Sequence, residues 1–85
     1  MTIYNIIGFR PYQFNDAASG RLISGTKFFC SYDDVEDTET KGSKTISFNC
    51  SAYKLGRYLP SIGDKVSISW ADKKNFRVDE INKIE

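Results

Sequence analysis

Hydrophobic and polar residues alternate with a period of two over most of this chain, and that period predicts β-strands. In the clearest run, residues 19–32, Phe28 and Cys30 share one side while Phe29 lies on the other. We expect the Phe28 and Cys30 side to face a core and the opposite side to carry function. Gly25 interrupts the run, which predicts a bulge or a sharp bend in a strand shared by two parts of a closed sheet.

Further segments with the same alternation predict four more strands, at residues 2–14, 44–51, 65–70 and 76–84. Pro11 has no backbone N–H, so we expect the second half of the first strand to lie at a sheet edge or in a bulge. The apolar residues of the last segment recur at a spacing of three, which predicts a β-bulge near Asp79 and Glu80. Residues 51–59 change to a spacing of three and four, with Ser51 at the N-cap position, and predict a short helix.

The order of these elements predicts the fold. Five strands with one helix between the third and the fourth form the layout of an OB-fold. A chain of 85 residues is long enough for one domain with a modest core. We therefore predict an all-β fold, a small five-stranded OB-type barrel with a short helix between the third and fourth strands, as a single domain over residues 1–85.

Charge is segregated along the sequence. Twelve Lys and Arg residues against eleven Asp and Glu residues give a formal net charge of +1, yet five of the acids fall within residues 33–39. Residues 33–42 are too charged to be buried, and we expect a mobile acidic loop attached to a basic body. This loop is either a solvated connection or a local screen that competes with an anionic ligand or touches a neighbouring protomer.

The composition also limits the chemistry of the protein. Cys30 and Cys50 each fall on the apolar side of a strand, so we expect buried free thiols, with a cross-strand disulfide as the alternative. The sequence has no histidine, no CxxC motif and no Gly-rich phosphate loop, and its acidic run lacks the spacing of a calcium loop. We expect no catalysis, no metal site and no cofactor. No apolar run has the length of a membrane span, and we expect a cytoplasmic protein of a bacterial or phage-infected cell.

Cations and aromatic residues occur side by side in five clusters. A groove for single-stranded nucleic acid needs cations that follow the phosphates and flat rings that stack on the bases. The candidate nucleic-acid-binding residues in and beside these clusters are Arg10, Tyr12, Phe14, Arg21, Ile23, Lys27, Phe29, Tyr53, Lys54, Arg57, Tyr58, Lys73, Lys74, Phe76 and Arg77. In the alternative interpretation each ring belongs to the core and each cation to a solvated surface. Trp70, at the end of an alternating strand, is assigned to the core.

The layout also resembles a known family. The resemblance lies in Ser19-Gly20-Arg21 at the start of a strand that carries Cys30-Ser31-Tyr32, in residues 62–66, and in a closing hairpin that ends at residues 81–84. These features are similar to single-stranded-DNA-binding proteins of the filamentous-phage gene-five type and to small OB-fold proteins of Gram-positive mobile elements. The resemblance implies a dimer that binds cooperatively with little sequence preference. It also implies that Phe76 contacts DNA, whereas Ile23 stands where the family has an aromatic residue.

These observations predict a sequence-tolerant single-stranded-DNA-binding protein, a homodimer that serves the replication of a phage or mobile element. The alternative is a small β-barrel interaction module of a phage or mobile element. It would bind a replication or host protein through exposed aromatic residues and the acidic loop. In that case Tyr12 and Phe14 belong to a protein interface rather than a base-stacking platform. The salt dependence of binding distinguishes the two functions, because DNA binding releases counterions and its affinity falls steeply as the salt concentration rises.

Overall fold

The computed structural model describes residues 2–84, which form five strands and one short helix. The elements are β1 (Tyr4–Asn15), β2 (Leu22–Tyr32), β3 (Lys44–Ser51), α1 (Ala52–Leu55), β4 (Lys65–Asp72) and β5 (Arg77–Ile84). The strand pairs are antiparallel and form one sheet in the order β3-β2-β1-β4-β5. The prediction of a mostly β chain with five strands and a helix after the third is confirmed.

The sheet is not closed into a barrel. Within residues 2–84, the edge strands β3 and β5 form no ladder with each other. β1 joins the two halves, because it pairs with β2 along most of its length but with β4 only at Tyr4 and Asn5. Pro11 therefore lies in a part of β1 that has a neighbouring strand on one side, as the sequence predicted.

The core forms because the sheet folds back on itself. The buried apolar residues are Tyr4, Ile6, Phe28, Cys30, Phe48, Cys50, Val66, Val78 and Ile81. The rings of Phe28 and Phe48 stack with their centroids 5.6 Å apart, and Trp70 meets Phe48 edge-on at 5.4 Å. Since Phe48 lies on β3 and Trp70 on β4, which are not neighbours in the sheet, this contact requires strong curvature. The predicted inward side of β2 and the core packing of Trp70 are confirmed.

A β-bulge in β5 explains the spacing of its apolar residues. The register of β5 against β4 shifts at Asp79, so that Val78 and Ile81 both face the core although they are three residues apart. The predicted bulge near Asp79 and Glu80 is confirmed.

A second bulge lies in β1 and not at Gly25, where the sequence predicted one. Gly25 keeps its register with both neighbouring strands, and the shift occurs at Ile7. It reverses the alternation of β1, so that Ile6 faces the core before the bulge and Phe9 packs against the core after it. Gly25 is required for space instead, because an added Cβ would lie 2.5 Å from the hydroxyl oxygen of Tyr12.

Helix α1 is shorter than the predicted segment, residues 51–59. Ser51 caps it as predicted, since the side-chain oxygen of Ser51 accepts a hydrogen bond from the backbone N–H of Lys54 at 3.2 Å. The helix ends at Leu55 because Gly56 follows with a φ of 63°, a left-handed conformation that glycine adopts without steric cost. Leu55 packs against the core, and no helix within residues 2–84 is long and apolar enough to cross a membrane.

Both cysteines are buried free thiols. Cys30 pairs with Ile46, whereas Cys50 pairs with Thr26, so the two thiols lie four residues apart along the strands, on the order of 13 Å. The Cα atoms of a disulfide lie within about 7 Å of each other. The free-thiol prediction is therefore confirmed, and the cross-strand disulfide is excluded. Burial raises the pKa of the Cys30 thiol to about 11.

Candidate functional site

The outward side of β1, β2 and β3 arranges candidate residues in rows across the strands. Successive outward rows are two residues apart, about 6.7 Å. In order along the strands, the rows are Gly8 with Phe29 and Ser47, Arg10 with Lys27 and Asn49, Tyr12 with Gly25 and Ser51, and Phe14 with Ile23. We call this surface the outer face. The row with Arg10 and Lys27, which we call the cation row, thus has the Phe29 ring on one side and the Tyr12 and Phe14 rings on the other.

The cation row brings two positive charges together. Arg10 and Lys27 are direct cross-strand partners, both are exposed, and within residues 2–84 neither forms an ion pair with a carboxylate. Like charges directly opposite each other destabilise a sheet. The Lys27 ammonium lies 5.6 Å from the centroid of the Phe29 ring, which places a cation beside a ring that is itself exposed. An anion bound at this row would relieve the repulsion.

Two aromatic rings form a platform on the other side of the cation row. The rings of Tyr12 and Phe14 stack with their centroids 6.2 Å apart and an interplanar angle of 27°. Tyr12 is half-buried because it lies over Gly25, whereas Phe14 is 53% exposed. Burial raises the pKa of the Tyr12 phenol, so the ring stays uncharged. These rings line one groove of about 590 Å³ together with Arg10, Lys27 and other residues of the outer face.

The turn between β4 and β5 extends this surface. The backbone N–H of Phe76 donates to the carbonyl of Lys73 at 3.2 Å and closes the turn. A second groove, of about 400 Å³, is lined by Lys27 and Asn49 of the outer face and by Phe76 and Arg77 of the turn. Because Lys27 and Asn49 line both grooves, the outer face and the turn form one continuous surface.

Phe76 occupies an unusual backbone position. Its φ of 55° is the only positive value outside glycine within residues 2–84, and for a bulky residue such a conformation costs about 1–3 kcal/mol. The ring is 45% exposed and meets Trp70 edge-on at 6.0 Å. Phe76 is therefore neither a buried core residue nor a free side chain, but a half-exposed ring held by Trp70 at the end of the second groove.

The other predicted residues lie at the margins or in other places. Arg21 precedes β2 at the end of the β1–β2 hairpin, and Lys74 is exposed in the β4–β5 turn. Tyr53 in α1 and Arg57 just after it are exposed, and neither lines a groove of the outer face. The candidate residues of β1, β2 and the β4–β5 turn therefore lie on one surface, and those of the helical segment do not.

Two residues near α1 have structural partners. The Lys54 ammonium lies 3.1 Å from the carboxylate of Asp79, which ties the helix to β5. The Tyr58 hydroxyl donates to the carboxylate of Asp64 at 2.6 Å, and its ring packs against the core. This bond and burial both raise the pKa of the Tyr58 phenol, with burial the larger cause. Tyr58 thus holds the segment before β4 in place.

The sequence did not single out Asn49 and Ser47 as candidates. Both face outward from β3, since Phe48 and Cys50 face inward. Their importance comes from the register, which places Asn49 opposite Lys27 in the cation row. The register is a long-range property of the sheet, and the alternation within one strand carries no signal for it.

The acidic loop, residues 33–43, lies beside the β4–β5 turn. A cavity of about 730 Å³ has Asp33, Asp34 and Glu36 on one side and Lys73 and Phe76 on another. This arrangement puts an anionic surface next to the end of the second groove.

Hydrogen bonds connect residues of the acidic loop and keep two of its carboxylates charged. The Lys44 ammonium lies 3.2 Å from the carboxylate of Asp34 and 2.7 Å from that of Asp37. The hydrogen bond from Lys44 is the main cause that lowers the pKa of the Asp37 carboxyl. The backbone N–H of Glu36 has the same effect on Asp34. Both carboxylates are therefore ionised at neutral pH.

Comparison with known proteins adds no assignment to this geometry. No protein-family model, curated protein or solved structure matches the chain. The resemblance to the gene-five type of DNA-binding protein stays a prediction. Within residues 2–84, no three Cys, His, Asp or Glu side chains are grouped so as to hold a metal ion.

Replacing Tyr58 with Phe tests its structural role. The hydrogen bond from Tyr58 lowers the pKa of the Asp64 carboxyl. A carboxylate with a lowered pKa stabilises the folded state above its unfolded pKa of about 4 and loses this effect as the pH falls. We expect Tyr58→Phe to lower the Tm at neutral pH, with the difference shrinking below about pH 4. Thermal melts over this pH range measure it, with the exposed Tyr53→Phe as control; a constant difference at all pH values would contradict the assignment.

Proposed function

We propose that the outer face and the β4–β5 turn bind single-stranded DNA with little sequence preference. The observation that carries this proposal is the cation row of Arg10 and Lys27 between the ring of Phe29 and the platform of Tyr12 and Phe14. Phosphates of an extended strand fit the cations, and bases fit the rings on either side, which is how non-specific single-strand binders combine charge with stacking.

The sheet topology supports an OB-type interpretation of this surface. OB-folds bind oligonucleotides on the face of strands 2 and 3 and through the loops between strands 1 and 2 and between strands 4 and 5. In this interpretation the outer face and the β4–β5 turn would correspond to that binding surface. We propose that the chain is an open relative of that barrel, in which α1 lies between the unpaired edges of β3 and β5 and the ion pair of Lys54 with Asp79 links helix to edge. A role in phage or mobile-element replication is supported by the resemblance alone.

A second candidate function is the binding of another protein or of a second copy of the chain. The Phe14 and Ile23 row lies beyond the last paired residue of β3, and Leu22 at the same end is 58% exposed. Exposed apolar residues at the end of a two-stranded ribbon are a typical contact surface. A homodimer through this ribbon is compatible with DNA binding on the rest of the outer face.

Replacing Arg10 and Lys27 together with Ala tests DNA binding. We expect weaker binding to oligo-dT and a slope of log affinity against log salt that is shallower by about 1.4, because each phosphate contact on a single strand contributes about 0.7. Fluorescence anisotropy at several salt concentrations measures the slope. Arg57→Ala with Lys83→Ala removes the same charge at residues that line neither groove and should change the slope little. An equal fall in both double variants would assign the effect to net charge and not to this site.

Replacing Phe76 separates packing from stacking. Since the ring is only half-buried, Phe76→Ala should cost less stability than the roughly 3–5 kcal/mol of a buried Phe while losing about 1–3 kcal/mol of oligo-dT binding. Phe76→Gly should be more stable than Phe76→Ala because glycine accepts the positive φ, and should bind equally weakly. Thermal melts and anisotropy measure both properties. Destabilised variants with normal affinity per folded molecule would remove Phe76 from the interface.

Neutralising two carboxylates of the acidic loop tests whether the loop repels DNA from the β4–β5 turn. Asp33 and Glu36 line the cavity that also contains Lys73, and their charges repel a phosphate at that end. We expect Asp33→Asn with Glu36→Gln to bind oligo-dT several-fold more tightly at low salt and about equally at high salt, where surface charges are screened. Glu39→Gln with Glu80→Gln removes two acids that do not line this cavity. If that control gains as much affinity, the loop acts through net charge alone.

A further inference from the structure

We infer that Gly25 is a positioning residue, one that lets the hydroxyl end of the Tyr12 ring lie over β2, so that the ring is held in place as a base-stacking surface. This inference rests on the proposed function. The backbone does not explain the glycine, because Gly25 is not among the positive-φ glycines, Gly20, Gly42, Gly56 and Gly63. It also forms regular pairs on both sides, and a glycine inside a regular strand weakens that strand.

Space explains the glycine. A Cβ at position 25 would lie 2.5 Å from the hydroxyl oxygen and 2.7 Å from the Cζ atom of Tyr12, and 2.5 Å from the carbonyl oxygen of Cys50. These distances are too short for any side chain. The Tyr12 ring therefore fills the volume that a side chain at position 25 would take, which is why Gly25 is buried although it belongs to the outer face. Aromatic cover of a strand glycine in this way is known to restore sheet stability.

The position of the Tyr12 ring over Gly25 sets the shape of the first groove. Phe14 stacks on Tyr12, and the groove that both line also contains the cations Arg10 and Lys27. Any side chain at position 25 would push Tyr12 away from the sheet, break its stacking with Phe14 and block the path between the cation row and the platform. Gly25 thus acts on a bound base through Tyr12 and touches no base itself.

Gly8 provides a matched control on the same face. It also lies opposite an aromatic residue, Phe29, but a Cβ at Gly8 would lie 3.5 Å from the nearest ring atom, an ordinary contact. Alanine is therefore tolerated at position 8, whereas at position 25 it displaces the Tyr12 ring.

The experiment measures oligo-dT affinity, per folded molecule, for Gly25→Ala and Gly8→Ala in the wild-type and Tyr12→Ala backgrounds. We expect Gly25→Ala to weaken binding roughly tenfold, the effect of losing one stacked base. Gly8→Ala adds a methyl group beside Phe29 and not beside Tyr12, so its effect on affinity should be the same in both backgrounds. In the Tyr12→Ala background, Gly25→Ala should weaken binding little further, because the ring that it displaces is already absent. Equal losses in both backgrounds would overturn the positioning role.

A second measurement needs neither ligand nor variant. In the wild-type protein, nuclear Overhauser contacts between the Tyr12 ring protons and the Gly25 Hα protons should be strong. Their absence would also overturn the inference, even if Gly25→Ala fails to fold because of the nearby Cys50 carbonyl. Wild-type protein that shows these contacts but binds no oligo-dT would instead reject the proposed function, while the packing of Tyr12 on Gly25 would stand.

Discussion

The separation of a core from a basic, aromatic face depends on the bulge at Ile7 in β1. With uninterrupted alternation, Arg10 and Tyr12 would share a side with Tyr4 and Ile6, which are buried. The bulge adds one residue and reverses the alternation, so the cation and the ring turn outward while the first part of the strand keeps its apolar side chains in the core. The first residues of β1 therefore pair with β4, and its last residues belong to the outer face.

The alternation in β2 and β3, the Ser51 cap and the bulge near Asp79 were predictable because each is a local property of the sequence. The bulge at Ile7 was not, since the residues around it are apolar on both sides and the period of two continues without visible interruption. The bulge predicted as one possibility at Gly25 was wrong, because a sequence does not distinguish a glycine needed for backbone conformation from one needed for space. The cation row was also beyond prediction, because it depends on register between strands.

The net charge of the chain is near zero because a positively charged surface and a negatively charged surface nearly cancel. Lys44 holds Asp34 and Asp37 together in the acidic loop, while Asp33 and Glu36 remain beside the β4–β5 turn without a cationic partner within residues 2–84. In the proposed function, a cation row on one surface and carboxylates at the end of the adjoining groove would give an anionic polymer a preferred path along the outer face. The acidic loop would then limit non-specific attraction to the positive charge of the rest of the chain.

Three features of this surface oppose folding, and they lie together. Arg10 faces Lys27 across a strand pair, Gly25 lies inside a regularly paired strand, and Phe76 takes a backbone conformation suited to glycine. Sequences are locally consistent with their folds except where function requires otherwise. Folding alone does not require the first or the third feature, since a carboxylate opposite Arg10 and Gly or Asn at position 76 would each be more stable. The proposed function would account for their coincidence on one continuous surface, because single-stranded DNA would require both the cations and the exposed rings.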